Sequence, residues 1–281
     1  MIPFLHIGSL EIPTFGLMVA MAMLSAYWLL SRDISRRNLS AQVDPELFVA
    51  VPSLAGIVGA KLYHVLENPS ELFAHPAAAI FSQFGFAWFG GLIAGVATFL
   101  WLGWRRRIPL LLLLDIGSPA AAVGYGVGRI GCFLSGDGDY GIPTSLPWGM
   151  SFPNGLVPTT QHVHPTPIYE FIAACLAAWF LWGLGRSGCQ IQHKAAPVSP
   201  TEQRAGYSLA VELPEQRPRS CGVVFAFYLL TTGLARFLVE FIRINPRSFF
   251  GLTNAQTASV LSVIAGGILL LRLRSRNKEA A

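Results

Sequence analysis

The sequence predicts an all-α fold: a polytopic membrane helical bundle of about seven transmembrane helices. The N-terminus is expected outside, the C-terminus in the cytoplasm, and a small extracytoplasmic cap between spans four and five. Three observations lead there. Only 12% of the 281 residues are charged and 53% are hydrophobic, whereas a soluble domain carries about 25% charged residues. The apolar residues gather into runs near the roughly 20 residues that cross a bilayer. The Lys and Arg residues cluster in alternate connections, as the positive-inside rule requires of a chain that weaves through a membrane.

The runs fall at 14–30, 47–66, 84–104, 110–133, 166–185, 222–242 and 253–271. No Lys or Arg precedes Arg32, and Glu11 comes before the first run. A cleavable signal begins with positive charge, so the first run reads as a retained anchor. Arg32, Arg36 and Arg37 follow it. Arg105, Arg106 and Arg107 follow the third run, and Arg186, Lys194, Arg204, Arg217 and Arg219 the fifth. Arg272, Arg274, Arg276 and Lys278 close the chain. With seven spans, all of these lie on one side, leaving only Lys61, Arg129, Arg236, Arg243 and Arg247 elsewhere. The same pattern accounts for the net charge of +5 without a nucleic-acid partner.

The fourth run is interrupted by Asp115, Pro119 and Arg129, which a membrane helix tolerates when neighbours satisfy the freed polar groups. The segment 137–164 is rich in Gly and Pro, carries Trp148 and Phe152, and reads as the cap. The segment 187–220 is polar and of mixed charge, and reads as a flexible cytoplasmic loop. The chain is expected to form a single integral membrane domain, without an internal repeat. Gly91 with Gly95, and Gly124 with Gly128, stand at the spacing that lets helix backbones approach, a packing role. Cys132, Cys175, Cys189 and Cys221 form no C-x-x-C pair, so neither a disulfide framework nor a zinc site is suggested.

Three constellations can carry chemistry. Arg129 stands inside an apolar run, where a guanidinium cannot shed its charge and costs roughly 2.5–3.5 kcal/mol on insertion scales. Such a residue faces a protein interior or a watery cavity. It reads either as the receptor of an anionic lipid head group or as the partner of a buried carboxylate such as Asp115. Arg236, Glu240 and Arg243 follow at i, i+4 and i+7, one face of a helix. Arg236 and Glu240 form an ion pair or a ligand seat, and Arg243 either joins them or snorkels to the interface. In the third, HPTPIYE at 164–170, the prolines fix the start of a helix. Glu170 is then one turn inside, in reach of Arg129 or Arg236, and Tyr169 is placed to bond a head group.

GDGDYG at 136–141 matches a dinucleotide fingerprint by letters alone. It lacks the strand and the βαβ unit that motif needs, and its aspartates would repel a pyrophosphate, so it reads as a turn. A calcium site at Asp137 and Asp139 lacks further ligands in sequence, and Ser135 has no hydrolase context. Paired arginines near the outer side and apolar walls point to an anionic lipid. Guanidiniums that hold its phosphate also stabilise charge developing there if a carbon–oxygen bond breaks. The residues alone leave open an enzyme, a non-catalytic anionic-lipid-binding paralogue and a small membrane transporter. The absence of a repeat weighs against the last.

At these residues the sequence resembles the prolipoprotein diacylglyceryl transferase family of bacteria. GRIGCFLSGDGDYG (128–141) is similar to that family's glycine–arginine signature. FGGLIAG (89–95), WGMSFP (148–153), HPTPIYE, RFLVEFIR (236–243) and LTNAQ (252–256) follow the family's order over most of the chain. The resemblance implies transfer of the diacylglyceryl group of phosphatidylglycerol to the lipobox cysteine thiol of a prolipoprotein at the bacterial inner membrane. It implies an active site facing the outer side and no metal or organic cofactor. Arg129 matches the family's phosphatidylglycerol-binding arginine and Arg236 its second essential one. Glu240, His164, Tyr169 and Glu170 also match motif positions.

Other positions depart from the family pattern. Phe89 stands for a histidine, Cys132 for an asparagine, Phe15 and Thr232 for tyrosines, and Ser135, Gly136 and Asp137 for asparagine–glycine–glutamate. Phe89 cannot take a proton from the incoming thiol, which leaves His164, Asp137 or Glu240 for that task. The expected catalytic set is Arg129, Arg236, Glu240 and His164. The expected substrate-binding set is Arg129, Arg236, Tyr169, Glu170, Asp137 and Cys132.

Overall fold

The computed structural model describes residues 1–82, 85–186, 221–249 and 251–279. The all-α membrane bundle is what it shows. The chain opens with a short hairpin, β1 (Phe4–Ile7) and β2 (Leu10–Pro13), and runs directly into α1 (Thr14–Arg36). The Thr14 hydroxyl and amide both donate to the Pro3 carbonyl, which ties the hairpin across the start of the helix. Helix α2 (Pro45–Glu67) is started by Asp44, whose carboxylate accepts from the Glu46 and Leu47 amides, with Pro45 at the position where a missing N–H costs nothing. Short helices α3 (Pro69–Ala74) and α4 (Pro76–Phe81) lead to α5 (Trp88–Arg105), which runs into α6 (Leu110–Ser135). A two-stranded ribbon, β3 (Met150–Phe152) with β4 (Thr159–Val163), precedes α7 (Thr166–Gly185). Helix α8 (Val223–Val239) tightens into a 3-10 turn at Glu240–Ile242. A last small hairpin, β5 (Arg247–Phe249) and β6 (Leu252–Thr253), turns the chain into α9 (Asn254–Glu279).

Six of these helices are long and apolar enough to cross a membrane: α1, α2, α6, α7, α8 with its 3-10 extension, and α9. Helix α5, 18 residues long with Arg105 in its last turn, was expected as a further span and does not reach that standard. It lies along α2, and the two backbones touch through glycine. A Cβ on Gly59 would stand 2.7 Å from the Gly90 carbonyl oxygen, so neither helix tolerates a larger residue there. Helix α6 is central. It packs against α1 through Gly131 and against α7 through Gly126, where an added Cβ would meet Met18 and Ala174 at 3.1 and 3.0 Å.

One end of the bundle carries the basic residues. Leu30, Ile34, Leu39, Val43, Phe48, Leu112 and Ile116 form its buried core. Asp33 is buried there between Arg36 and Arg37. Arg36 also donates to the Trp182 carbonyl at 3.1 Å and lies over the Trp182 ring, joining the ends of α1 and α7. Asp115 accepts from the Gly222 and Phe225 amides at 2.7 and 2.8 Å. It caps the first turn of α8 and is not the partner of Arg129. Cys221, beside it, is disulfide-bonded, where the sequence suggested no disulfide. The predicted loop at 187–220 lies outside the described residues.

Candidate active site

The site forms at the other end of α6. The helix closes on Gly136, whose backbone is left-handed (φ 60°, ψ 48°) and whose amide donates to the Cys132 carbonyl at 3.0 Å. Only glycine serves here, because a Cβ would press on Gly155 at 2.7 Å. Gly138, at φ 93°, bends the chain again. The GDGDYG stretch is therefore a turn, as read from sequence. Its effect is to carry Asp139 back over the last turns of α6, where the hydroxyl of the buried Thr166 donates to the Asp139 carbonyl.

Arg129, Arg236 and Arg243 converge on Glu170, Asp139 and Glu240. Glu170 is 4% exposed and is the hub. Its Oε2 receives Arg129 Nε at 2.6 Å and Arg243 Nη1 at 3.4 Å; its Oε1 receives the Tyr125 hydroxyl at 2.9 Å and pairs with Arg236. Asp139 bridges Arg129 and Arg243 with its two oxygens. Glu240 pairs with Arg236 at 3.0 Å and accepts from the Thr253 hydroxyl at 2.9 Å and from Asn245. Three guanidiniums thus face three carboxylates in a largely buried space, the condition under which buried charge is tolerable.

The expected i, i+7 helical face does not extend to Arg243. After the 3-10 turn Arg243 is extended (φ −82°, ψ 155°). Ile142 N donates to the Ile242 carbonyl at 2.8 Å and Gly141 bridges to Arg243, so the turn after α6 holds this segment over the site. Arg243 does not snorkel; its side chain is only 7% exposed. Its place depends on the strand-like bridge to Gly141, far away in sequence, which no local pattern signals. Of the cluster's members the sequence raised Arg243 only as a residue that joins or snorkels and Asp139 only as half of a calcium site, neither entering the expected site sets, and Tyr125 was not raised. Tyr125 stands one helical turn before Arg129, and that spacing was the available signal.

The other expected residues form a second group alongside. The Tyr169 hydroxyl takes a hydrogen bond from Trp148 Nε1 at 2.8 Å and meets His164 Nδ1 at 3.2 Å. Tyr169 and His164 are therefore engaged with each other and with Trp148. Gly141 N donates to the His164 carbonyl at 2.8 Å, so His164 adjoins the cluster through its backbone. Asp137 is hydrogen-bonded with the Cys132 thiol and accepts from the Asp139 amide at 3.2 Å. The Cys132 thiol also lies 3.3 Å from Arg129 Nη1. Phe89 is 59% exposed and meets Trp88 edge-on. Phe15 packs on Gly131, and Thr232 bonds the Tyr228 carbonyl of its own helix.

The two aspartates of the turn differ. Burial alone would raise Asp139, but the guanidiniums of Arg129 and Arg243 hold it below the ordinary carboxylate value. Burial raises Asp137, and the nearby charge of Asp139 adds to the effect. The Cys132 thiol and the two aspartates have donor atoms within 4.8 Å of one another. A cation there would face the Arg129 guanidinium, so this donor set does not suit a metal ion.

Below the cluster lies an apolar cavity of about 700 Å³ between α1, α2, α5, α6 and α8. Met23, Phe48, Phe99 and Tyr228 are among its walls, and Gly124, Tyr125 and Gly128 supply the α6 side. Gly128 was expected to pack against a neighbouring helix, but a Cβ there would meet nothing within 4 Å. Its small size opens the cavity. Tyr125 belongs both to the cavity wall and, through Glu170, to the charged cluster.

The sequence model of the prolipoprotein diacylglyceryl transferase family matches residues 3–200 and 205–272. Curated relatives agree. A phosphatidylglycerol–prolipoprotein diacylglyceryl transferase of Geobacter sulfurreducens is 31% identical, covering 89% of this chain and 84% of that protein. Those of Methylobacillus flagellatus and Clostridium tetani are 30% and 29% identical. They cover 95% and 92% of this chain and 94% and 91% of the relatives.

Proposed function

Because the chain belongs to the prolipoprotein diacylglyceryl transferase family, we propose that it transfers the diacylglyceryl group of phosphatidylglycerol to the lipobox cysteine of prolipoproteins. The observation that carries this reading to particular residues is the arginine cluster joined, through Glu170 and Tyr125, to the wall of an apolar cavity. A phospholipid has the same two parts, an anionic phosphate and apolar tails. The phosphate is assigned to Arg129, with Arg236 and Arg243 beside it. The tails are assigned to the cavity passing Gly128 and Tyr125.

In the reaction the thiol sulfur bonds to the glyceryl carbon and the carbon–oxygen bond to the phosphate breaks. Glycerol phosphate leaves, and the thiol proton passes to a base. Negative charge grows on the phosphate as the bond breaks. Guanidiniums held by Glu170 and Glu240 meet that charge without having to reorganise. Glu170 acts as a positioning residue. His164 and Tyr169, with Trp148, are assigned to the glycerol head or the incoming peptide. Asp137, which burial raises and which faces the Cys132 thiol, is the carboxylate best suited to accept the substrate's proton.

The site is assigned to the outer side of a bacterial inner membrane, with seven spans in all. Supporting this, Arg36, Arg105, Arg186 and Arg274 belong to the ends of α1, α5, α7 and α9 opposite the site, the distribution expected of a cytoplasmic face. The segment 137–164, with its β3–β4 ribbon, is assigned as a cap over the site.

The test is purified protein, phosphatidylglycerol micelles and a lipobox peptide, with mass spectrometry for the diacylglyceryl adduct and released glycerol phosphate. A folded protein that yields neither refutes the reading. Arg129→Ala is expected to abolish transfer; an undiminished rate would remove the phosphate role.

A further inference from the structure

Asp139 differs from the other carboxylates of the cluster. Glu170 and Glu240 are fixed on or beside helices and their side chains are 3% and 0% exposed, whereas Asp139 is 30% exposed. It stands in a turn between Gly138 and Gly141, and each of its oxygens holds a different guanidinium, Arg129 and Arg243. Two oxygens on one acidic centre bridging two arginines is also how a phosphate monoanion would sit. A phosphate and the Asp139 carboxylate cannot both take those donors.

We propose that Asp139 is a built-in competitor that occupies the phosphate seat of the unliganded protein, and that an anionic phosphodiester or phosphomonoester binds by displacing it. This deepens the reading of Arg129 as the phosphate's receptor and rests on it. Without an occupant, Arg129, Arg236 and Arg243 would face only Glu170 and Glu240, leaving one excess positive charge in a buried space, a costly arrangement. Asp139 removes that cost, and the exchange conserves the charge balance of the cluster. An apolar or zwitterionic lipid gains little by the exchange, because it brings no net charge to replace the one expelled, so Asp139 also raises selectivity for anionic head groups. The backbone permits the movement. The Asp139 carbonyl stays tied to Thr166 while the side chain swings away, towards the water that already reaches it.

The test is binding of sn-glycerol 1-phosphate to the detergent-solubilised full chain by calorimetry, with Asp139→Asn, Glu11→Gln and Arg129→Ala compared to the parent. Asp139→Asn keeps the shape and removes the competing charge. It is expected to tighten binding about tenfold, the worth of one charged hydrogen-bond partner. Glu11→Gln removes an equal charge in the hairpin beside the same end of α6, where Glu11 pairs with His6 and does not bridge the arginines; it is expected to change affinity by less than about threefold. Equal tightening by both variants would show a general field effect and overturn the displacement. So would unchanged or weaker binding to a folded Asp139→Asn protein.

If that variant does not fold, hydrogen exchange on the parent protein decides. Adding phosphatidylglycerol micelles should speed exchange in the segment 137–141 while slowing it at the end of α6, and slowing in both would overturn the proposal. Arg129→Ala separates the two readings. If it does not weaken glycerol phosphate binding, the phosphate seat itself is wrong. If it does, and Asp139→Asn has no effect, only the competitor is wrong.

Discussion

Glu170→Gln is the most informative single change. The substitution keeps the side-chain volume and an oxygen for the Tyr125 hydroxyl, but it removes the negative charge shared by Arg129, Arg236 and Arg243. Asp139 and Glu240 would then face three guanidiniums alone. Removing one member of a buried ion pair costs about 3–5 kcal/mol; at the few degrees per kcal/mol of a chain this size, Tm should fall by roughly 10 °C. The assay is thermal unfolding in detergent, followed by intrinsic fluorescence. A second change sharpens it. Arg236→Met in the Glu170→Gln background relieves the excess positive charge. It should recover part of the loss, with a coupling of about 0.5–3 kcal/mol between the two sites. A Glu170→Gln protein that melts within about 2 °C of the parent, or a double variant whose losses simply add, would refute the network as the source of stability.

The remaining predictions concern the same architecture. Arg129→Lys retains charge but not the planar fork that reaches Glu170 and Asp139 together, so transfer activity should fall by at least about 100-fold with the protein still inserted. Gly128→Leu projects into the cavity without a backbone clash; KM for phosphatidylglycerol in micelle assays should rise while Tm stays close to the parent's. Gly59→Leu, by contrast, drives a side chain into the Gly90 backbone and should lower Tm or block accumulation in the membrane. Asp139 sits below the ordinary value of 3.8. Its contribution to stability is therefore complete above that value and lost as pH falls through the depressed folded value. Acid unfolding curves of Asp139→Asn should show a shallower decline in that range.

The sequence made the bundle legible because spanning a membrane imposes a pattern on every stretch of about 20 residues. The run at 166–185 matches α7 residue for residue, and the run at 110–133 stops two residues short of the end of α6. Arg129 and Arg236 stood out for the same reason, as charges in apolar surroundings. Glu170 was placed in reach of both because the prolines at 165 and 167 fix where its helix begins. What was misread was non-local or conformational. Asp115 looked like a partner for Arg129, but 14 residues of helix set them about 21 Å apart along the axis, at opposite ends of α6. Gly128 carried the spacing of a packing residue, and only the neighbouring helices show that nothing packs on it.

The sequence by itself determined that this chain is a membrane bundle, where its basic face gathers, and which two arginines need a purpose. Hydropathy and charge act along the chain, so they can be read along it. The tertiary structure alone decided that Arg243 leaves its helix to join them, that Tyr125 links the cavity wall to the hub, and that Asp139 occupies the seat between two guanidiniums. Those placements depend on a left-handed glycine, a 3-10 turn and a backbone bridge between distant segments. Charge balance in a buried space is settled by which side chains meet in three dimensions, and one-dimensional spacing does not encode it.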